Sequence, residues 1–72
     1  MAGKEPITIP IDFPSSDEPV ALAEFLKRLD YETVNRRCNP RVTYRGRSEG
    51  DVAWSAICDL RRQLGEAGFA PR

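Results

Sequence analysis

The 72-residue sequence contains no histidine and only two cysteines, Cys38 and Cys58. Without histidine, the usual general base near neutral pH is missing, and no serine or cysteine has its customary activating partner. With two cysteines and no histidine, one chain cannot form a four-ligand zinc site of the usual kind, and no glycine-rich phosphate loop is present. These absences predict a protein that is not an enzyme and that uses no metal or cofactor.

Long apolar runs are also absent, since none approaches the roughly 20 residues of a membrane-spanning helix. No charged N-terminal region leads into an apolar stretch, as it would in a signal peptide. We therefore expect a cytoplasmic protein with no membrane partner, in which both cysteines are reduced. The length predicts a single small domain over residues 1–72, near the lower limit for a self-sufficient core, so a binding partner would add stability.

Charge is balanced overall, with eleven basic and eleven acidic residues, but it is unevenly distributed. Residues 1–26 carry a net charge of −4, whereas residues 33–48 carry +5 and no acidic residue at all. The basic side chains of this second segment are all arginine, a residue typical of interfaces and of bidentate contacts. The zero net charge and the lack of clustered lysines make direct nucleic-acid binding less favoured than a protein partner.

We predict that the arginine-rich segment forms the partner-binding surface, with a solvated loop as the alternative interpretation. The predicted surface consists of Arg36, Arg37, Arg41, Tyr44, Arg45 and Arg47. Trp54 has two interpretations as well, because it is either the edge of the core, with Arg61 stacked on it, or an exposed interface aromatic.

The N-terminal segment PITIPIDFP alternates between apolar and polar residues. Ile7, Ile9, Ile11 and Phe13 fall on one face at period two, which predicts a short N-terminal strand. Pro10 cannot donate to a ladder and restricts this strand to a sheet edge. Pairing with a second copy would give a dimer, and pairing with residues 41–45 a monomer. We favour the monomer over the homodimer, because Pro10 handicaps a symmetric ribbon.

Apolar residues at helical spacing predict two main helices, over residues 17–30 and 48–67. Ser15 or Ser16 caps the first helix, the sequence Ser48-x-x-Asp51 opens the second as a capping box, and Gly68 followed by Phe69 ends it as a Schellman motif. Residues 31–38 are either a second short helical turn or a frayed continuation of the first helix. A weak alternation over residues 41–45 indicates a possible second short strand. The fold class is therefore α+β, with a strand packed on two main helices.

The order strand, helix, helix is also that of ribbon–helix–helix DNA-binding proteins, in which outward strand residues read the major groove. Here those residues would be Thr8, Pro10 and Asp12, of which proline offers no donor and aspartate is repelled by phosphate. About seventeen residues also separate Asp30 from Ser48, where that family has a short turn. A DNA-binding transcriptional regulator of this kind is the alternative hypothesis.

Two stretches, ALAEFLKRLDYE and LGEAGFAPR, resemble small uncharacterised proteins of proteobacterial phages, prophages and plasmids. Those chains run as a short strand, an ALAxFLKR helix and a helix ending in AG[FY]APR, and the similarity covers about two-thirds of this chain. Residues 35–48 depart from the group, being longer and more basic. The resemblance implies a bacterial host cytoplasm and an anti-CRISPR-like inhibitor. Such a protein binds a host protein complex, for example a nucleic-acid-binding defence complex, and acts by occlusion.

Overall fold

The computed structural model describes residues 6–69. The elements, in chain order, are helices α1 (Asp17–Lys27) and α2 (Tyr31–Arg37), strands β1 (Thr43–Tyr44) and β2 (Arg47–Ser48), and helix α3 (Glu49–Glu66). Helices α1 and α2 both pack on α3, and the two strands form an antiparallel hairpin against the same helix. The predicted α+β class is confirmed, and so is a short strand near residues 41–45.

The N-terminal strand predicted for residues 7–13 is wrong, because residues 6–13 have no regular secondary structure. Their apolar side chains are exposed, from 83% for Ile7 down to 36% for Phe13. A strand needs a hydrogen-bonding partner, and β1, the predicted partner within the chain, pairs with β2 and not with residues 7–13. An alternating pattern specifies which face a strand buries, but it cannot supply the neighbouring strand.

Helices α1 and α2 are separate elements. Ser16 occupies the N-cap position of α1, but its side chain makes no capping hydrogen bond, so the predicted serine cap is wrong in this respect. Helix α1 ends at Lys27, and Asp30 caps α2 by accepting a hydrogen bond from the Thr33 N–H at 2.8 Å. Of the two interpretations for residues 31–38, the second short helix is the one observed.

Helix α3 begins and ends as the sequence predicts. The Ser48 hydroxyl oxygen accepts a hydrogen bond from the Asp51 N–H at 3.1 Å. At the other end, Gly68 takes a left-handed conformation with φ of +96°. The Phe69 N–H then donates to the Leu64 carbonyl at 2.8 Å, and the Gly68 N–H to the Gly65 carbonyl at 3.0 Å. These two bonds are those of a Schellman motif.

A small apolar core joins α1 to the C-terminal half of α3. Its buried members are Ala23, Leu26 and Leu64, and the partly buried side chains packed against them are Leu22, Leu29, Ile57 and Phe69. Phe25 is 55% exposed and Leu60 is exposed as well, so these two large apolar side chains lie outside the core. Much of the apolar surface of the two helices therefore remains accessible.

Candidate partner-binding surface

The predicted binding residues lie on α2, the following loop and the hairpin. Arg36 and Arg37 form the last turn of α2, Arg41 lies in the loop, and the other three lie on the hairpin. All six side chains are exposed, including the Tyr44 ring. We name the set Arg36, Arg37, Arg41, Tyr44, Arg45 and Arg47 the arginine surface.

A tight turn holds the tip of the hairpin. The register pairs Thr43 with Ser48 and Tyr44 with Arg47, which leaves Arg45 and Gly46 as the two central residues. Both have positive φ, +56° and +84°, as a type I′ turn requires. Arginine rarely adopts this conformation, so the hairpin geometry imposes it. The turn places the Arg45 side chain at the end of the hairpin, directly beside the Tyr44–Arg47 pair.

The loop before the hairpin is tied to the start of α3 through Asn39 and Glu49. The Asn39 side-chain oxygen accepts the Arg41 N–H at 2.9 Å, and the Asn39 N–H donates to the Glu49 carboxylate at 2.7 Å. The Val42 carbonyl in turn accepts the Glu49 N–H at 3.1 Å. The backbone that carries Arg41 is therefore ordered by hydrogen bonds that leave its guanidinium group free to meet a ligand.

Aromatic and polar contacts join the start of α2 to the first turns of α3. The Tyr31 hydroxyl donates to the Asp51 carboxylate at 2.6 Å, and this hydrogen bond raises the pKa of Tyr31 above its ordinary value. The Tyr31 ring also meets the half-buried Trp54 edge to face, with centroids 6.4 Å apart. Trp54 therefore packs against Tyr31 between α2 and α3, and its stacking with Arg61 stays a prediction.

Gly50 sets how closely α2 approaches α3. It is buried in the first turn of α3, and a Cβ atom added there would overlap the Asn35 side chain and lie 3.2 Å from the Asn35 Cα. A larger residue would require the Asn35 side chain to rotate and the Asn35 main chain to shift slightly away from α3. Gly50 therefore allows α2, which carries Arg36 and Arg37, to approach α3 closely.

The arginines keep their charge available for a partner. Within residues 6–69, no carboxylate oxygen lies within 4.0 Å of the guanidinium groups of the arginine surface; ion pairs there join other residues, such as Arg62 with Asp59 at 3.0 Å. Arg47 donates to a neutral group, the Asp51 main-chain carbonyl, at 3.4 Å. The Asp30 carboxyl has a lowered pKa chiefly because of its hydrogen bonds with Thr33, with a smaller contribution from the charge of Arg36.

The described part of the chain does not meet the requirements of a metal site, a disulfide bond or a membrane-spanning helix. Residues 6–69 hold no group of three or more acidic or cysteine side chains placed to bind a metal ion. Cys38 is half-buried and Cys58 exposed, and both are free thiols. None of the helices between residues 6 and 69 has the length and apolar character that crossing a membrane requires.

The sequence reasoning missed the residues that position the arginines. Asn39 had a usable signal, because an asparagine before a proline is typical of a turn in which the side chain bonds to the backbone two residues on. Tyr31 and Asn35 had none, since their partners lie on α3, between 15 and 20 residues away in sequence. Long-range contacts of this kind follow only from the packing of α2.

Comparison with known proteins assigns the chain to a family. The family model described as "Family of unknown function (DUF7706)" matches residues 1–72, so the chain belongs to this family. Neither the curated proteins nor the solved structures contain a significant match.

Proposed function

We propose that this family member is a non-enzymatic binding domain whose arginine surface holds an acidic patch on a host protein complex and blocks that complex. The anti-CRISPR-like setting comes from the resemblance of residues 21–32, and of the last helix through residue 72, to proteins of mobile genetic elements. The observation that carries the proposal is the exposure of five arginines with no carboxylate within 4.0 Å in the described part of the chain.

The backbone beneath these side chains supports the proposal. Binding loses affinity when a loop must be ordered, and a loop that is already held avoids this loss. The type I′ turn and the bonds of Asn39 and Glu49 hold the backbone of the hairpin and of Arg41 without using any guanidinium group. Arginine forks suit bidentate contacts with carboxylates, and the half-exposed Tyr44 ring adds apolar area between them.

A DNA-binding regulator is the second candidate, because exposed arginines also suit phosphate groups. The N-terminal segment leaves this candidate open, since its alternating residues have no partner strand in the chain. The acidic Asp12 and the donor-less Pro10 on its outward face argue against base reading through a ribbon. The two candidates differ in a measurable way: DNA binding by arginines weakens steeply as salt rises.

The test replaces Arg41 and Arg45 together with glutamate. Plasmid transformation is measured in bacteria whose nucleic-acid-guided defence complex targets that plasmid, with and without the protein. We expect the wild-type protein to restore transformation and the double variant to fail, with binding to the purified complex weakened by at least about a hundredfold, or ~2.7 kcal/mol. Glutamate repels an acidic partner, so reversing the charge weakens binding more than removing the charge would.

A control variant carries the same change of charge elsewhere, with Arg28 and Arg62 replaced by glutamate. Both lie outside the arginine surface and are exposed, so we expect nearly unchanged binding and only a small loss of stability. The DNA-binding regulator would be supported by two results together. The protein would restore plasmid transformation against no type of defence complex, and it would bind short duplex DNA tightly, with an affinity that falls steeply as salt rises. Normal binding by a folded Arg41/Arg45 variant would show that the segment is a solvated loop.

A further inference from the structure

The N-terminal segment, residues 7–13, lines an open apolar groove of about 320 Å³ together with α1 and α3. The apolar lining consists of Ile9, Ile11, Phe13, Leu22, Leu60 and Leu64, with Ala67 at one end. Only Leu64 in this set is buried, and exposure increases along the segment toward Ile7. The groove and its rim therefore present a continuous apolar surface to solvent.

The apolar side chains around the groove form a patch of the kind that marks an interaction site. Ile7, Ile9 and Ile11 are 83%, 73% and 61% exposed, and Phe13 and Leu60 are each 36% exposed. Large apolar side chains that are exposed side by side, rather than singly, are typical of a surface that another molecule covers.

The positions of the prolines allow the segment to pair with one other strand. Backbone groups of alternate residues point to opposite edges of a strand, so those of Ile7, Ile9, Ile11 and Phe13 share one edge. Pro10 belongs to the other edge, where its missing N–H removes no bond from a two-stranded ribbon. It also prevents a third strand from adding there. In a symmetric dimer, Pro10 therefore removes a hydrogen-bond donor only from the outer edge of the ribbon.

We infer that the occupant of this groove is a second copy of the chain. The two N-terminal segments pair as antiparallel strands about a two-fold axis at Pro10, with Ile7 opposite Phe13 and Ile9 opposite Ile11. The apolar face of this ribbon lies on the α1–α3 surfaces of both copies and fills their grooves. The same register places Asp12 opposite Thr8, so the two aspartates do not face each other.

Dimerisation at this place leaves the arginine surface free. Leu60 follows Ser48 by twelve residues along α3, which corresponds to about 18 Å. The groove and the hairpin therefore lie at opposite ends of the same helix. The inference rests on the apolar residues of the segment and the groove alone, and it holds or fails independently of what the arginines bind.

Sedimentation equilibrium of the full chain at micromolar concentration tests the inference. We expect the wild type to have twice the chain mass of 8.1 kDa. Ile9→Asp should raise the dissociation constant by at least about a hundredfold, because it brings an unpaired carboxylate into the apolar face of the ribbon. The matched control is Thr8→Lys, which adds a charge one residue away on the outward face, opposite Asp12 of the second copy, and should not raise the constant.

Isotope-filtered nuclear Overhauser spectra of a mixture of labelled and unlabelled wild-type chains provide a measurement that requires no variant. We expect intermolecular contacts between the side chains of Ile9 and Ile11 and between those of Ile7 and Phe13. A monomeric wild type, in which residues 7–13 pack into the groove of the same chain, would overturn the inference. A dimer with intermolecular contacts elsewhere, or one that Ile9→Asp leaves intact, would overturn it as well.

Discussion

Replacing Gly50 with alanine tests the close approach of α2 to α3. Alanine normally stabilises a helix relative to glycine by roughly 0.5–1 kcal/mol. At this position the added Cβ would overlap the Asn35 side chain and lie 3.2 Å from the Asn35 Cα. The side chain can rotate away, but the main chain of Asn35 can move only if α2 moves. Gly65, in the same helix, provides a matched control, because a Cβ there meets no atom within 4 Å.

The expected effects of the two substitutions have opposite signs. Overpacking typically costs about 1–3 kcal/mol, which exceeds the gain in helix propensity, so we expect Gly50→Ala to lower the free energy of unfolding by about 1–2 kcal/mol. Gly65→Ala adds a methyl group in open space and should raise it by roughly 0.5–1 kcal/mol. A purely helix-propensity argument would instead predict stabilisation in both cases.

Urea unfolding followed by circular dichroism measures both free energies. Combining Gly50→Ala with Asn35→Ala should recover part of the loss, because the second change removes the side-chain overlap while the main chain of α2 stays too close to the new methyl group. A Gly50→Ala variant as stable as the wild type would refute the reasoning. It would mean that the space beside Gly50 does not limit the approach of α2.

Two further predictions concern the cap of α2 and the hairpin turn. The lowered pKa of Asp30 means that its contribution to stability is present above the ordinary value of 3.8 and is lost as the pH falls through the lowered value of the folded state. Asp30→Asn keeps an oxygen that accepts the Thr33 N–H, but this side chain does not titrate. The melting temperature of the variant should therefore fall less than that of the wild type as the pH is lowered below 3.8. An equal fall in both proteins would contradict the assignment. Arg45→Asn should stabilise the protein by roughly 0.5–1 kcal/mol, because asparagine tolerates the positive φ that the turn imposes. Thermal melts against the wild type check this, and a lower melting temperature would contradict it.

Helix α3 shows how much local sequence can specify. Ser48 and Asp51 lie three residues apart, and Gly68 and Phe69 directly follow the last turn, so each motif satisfies the free backbone groups of one helix end without help from the rest of the chain. The same holds for the strand near residues 41–45, which is closed by the adjacent Gly46. The five arginines of the arginine surface can likewise be read from the sequence as a cluster of positive charge, since charge density is a property of the chain itself; their role in binding stays a prediction.

The tertiary structure decided the features that depend on a distant partner. Residues 7–13 carry a strand pattern but form no strand, because no strand in the described part of the chain pairs with them; β1, their predicted neighbour, is hydrogen-bonded to β2 alone. The position of α2 likewise depends on Gly50 and on the hydrogen bond between Tyr31 and Asp51, which join residues far apart in sequence. Composition and periodicity determine which side chains can be buried or charged. Which surfaces meet, and how many apolar side chains stay exposed, follows from packing alone.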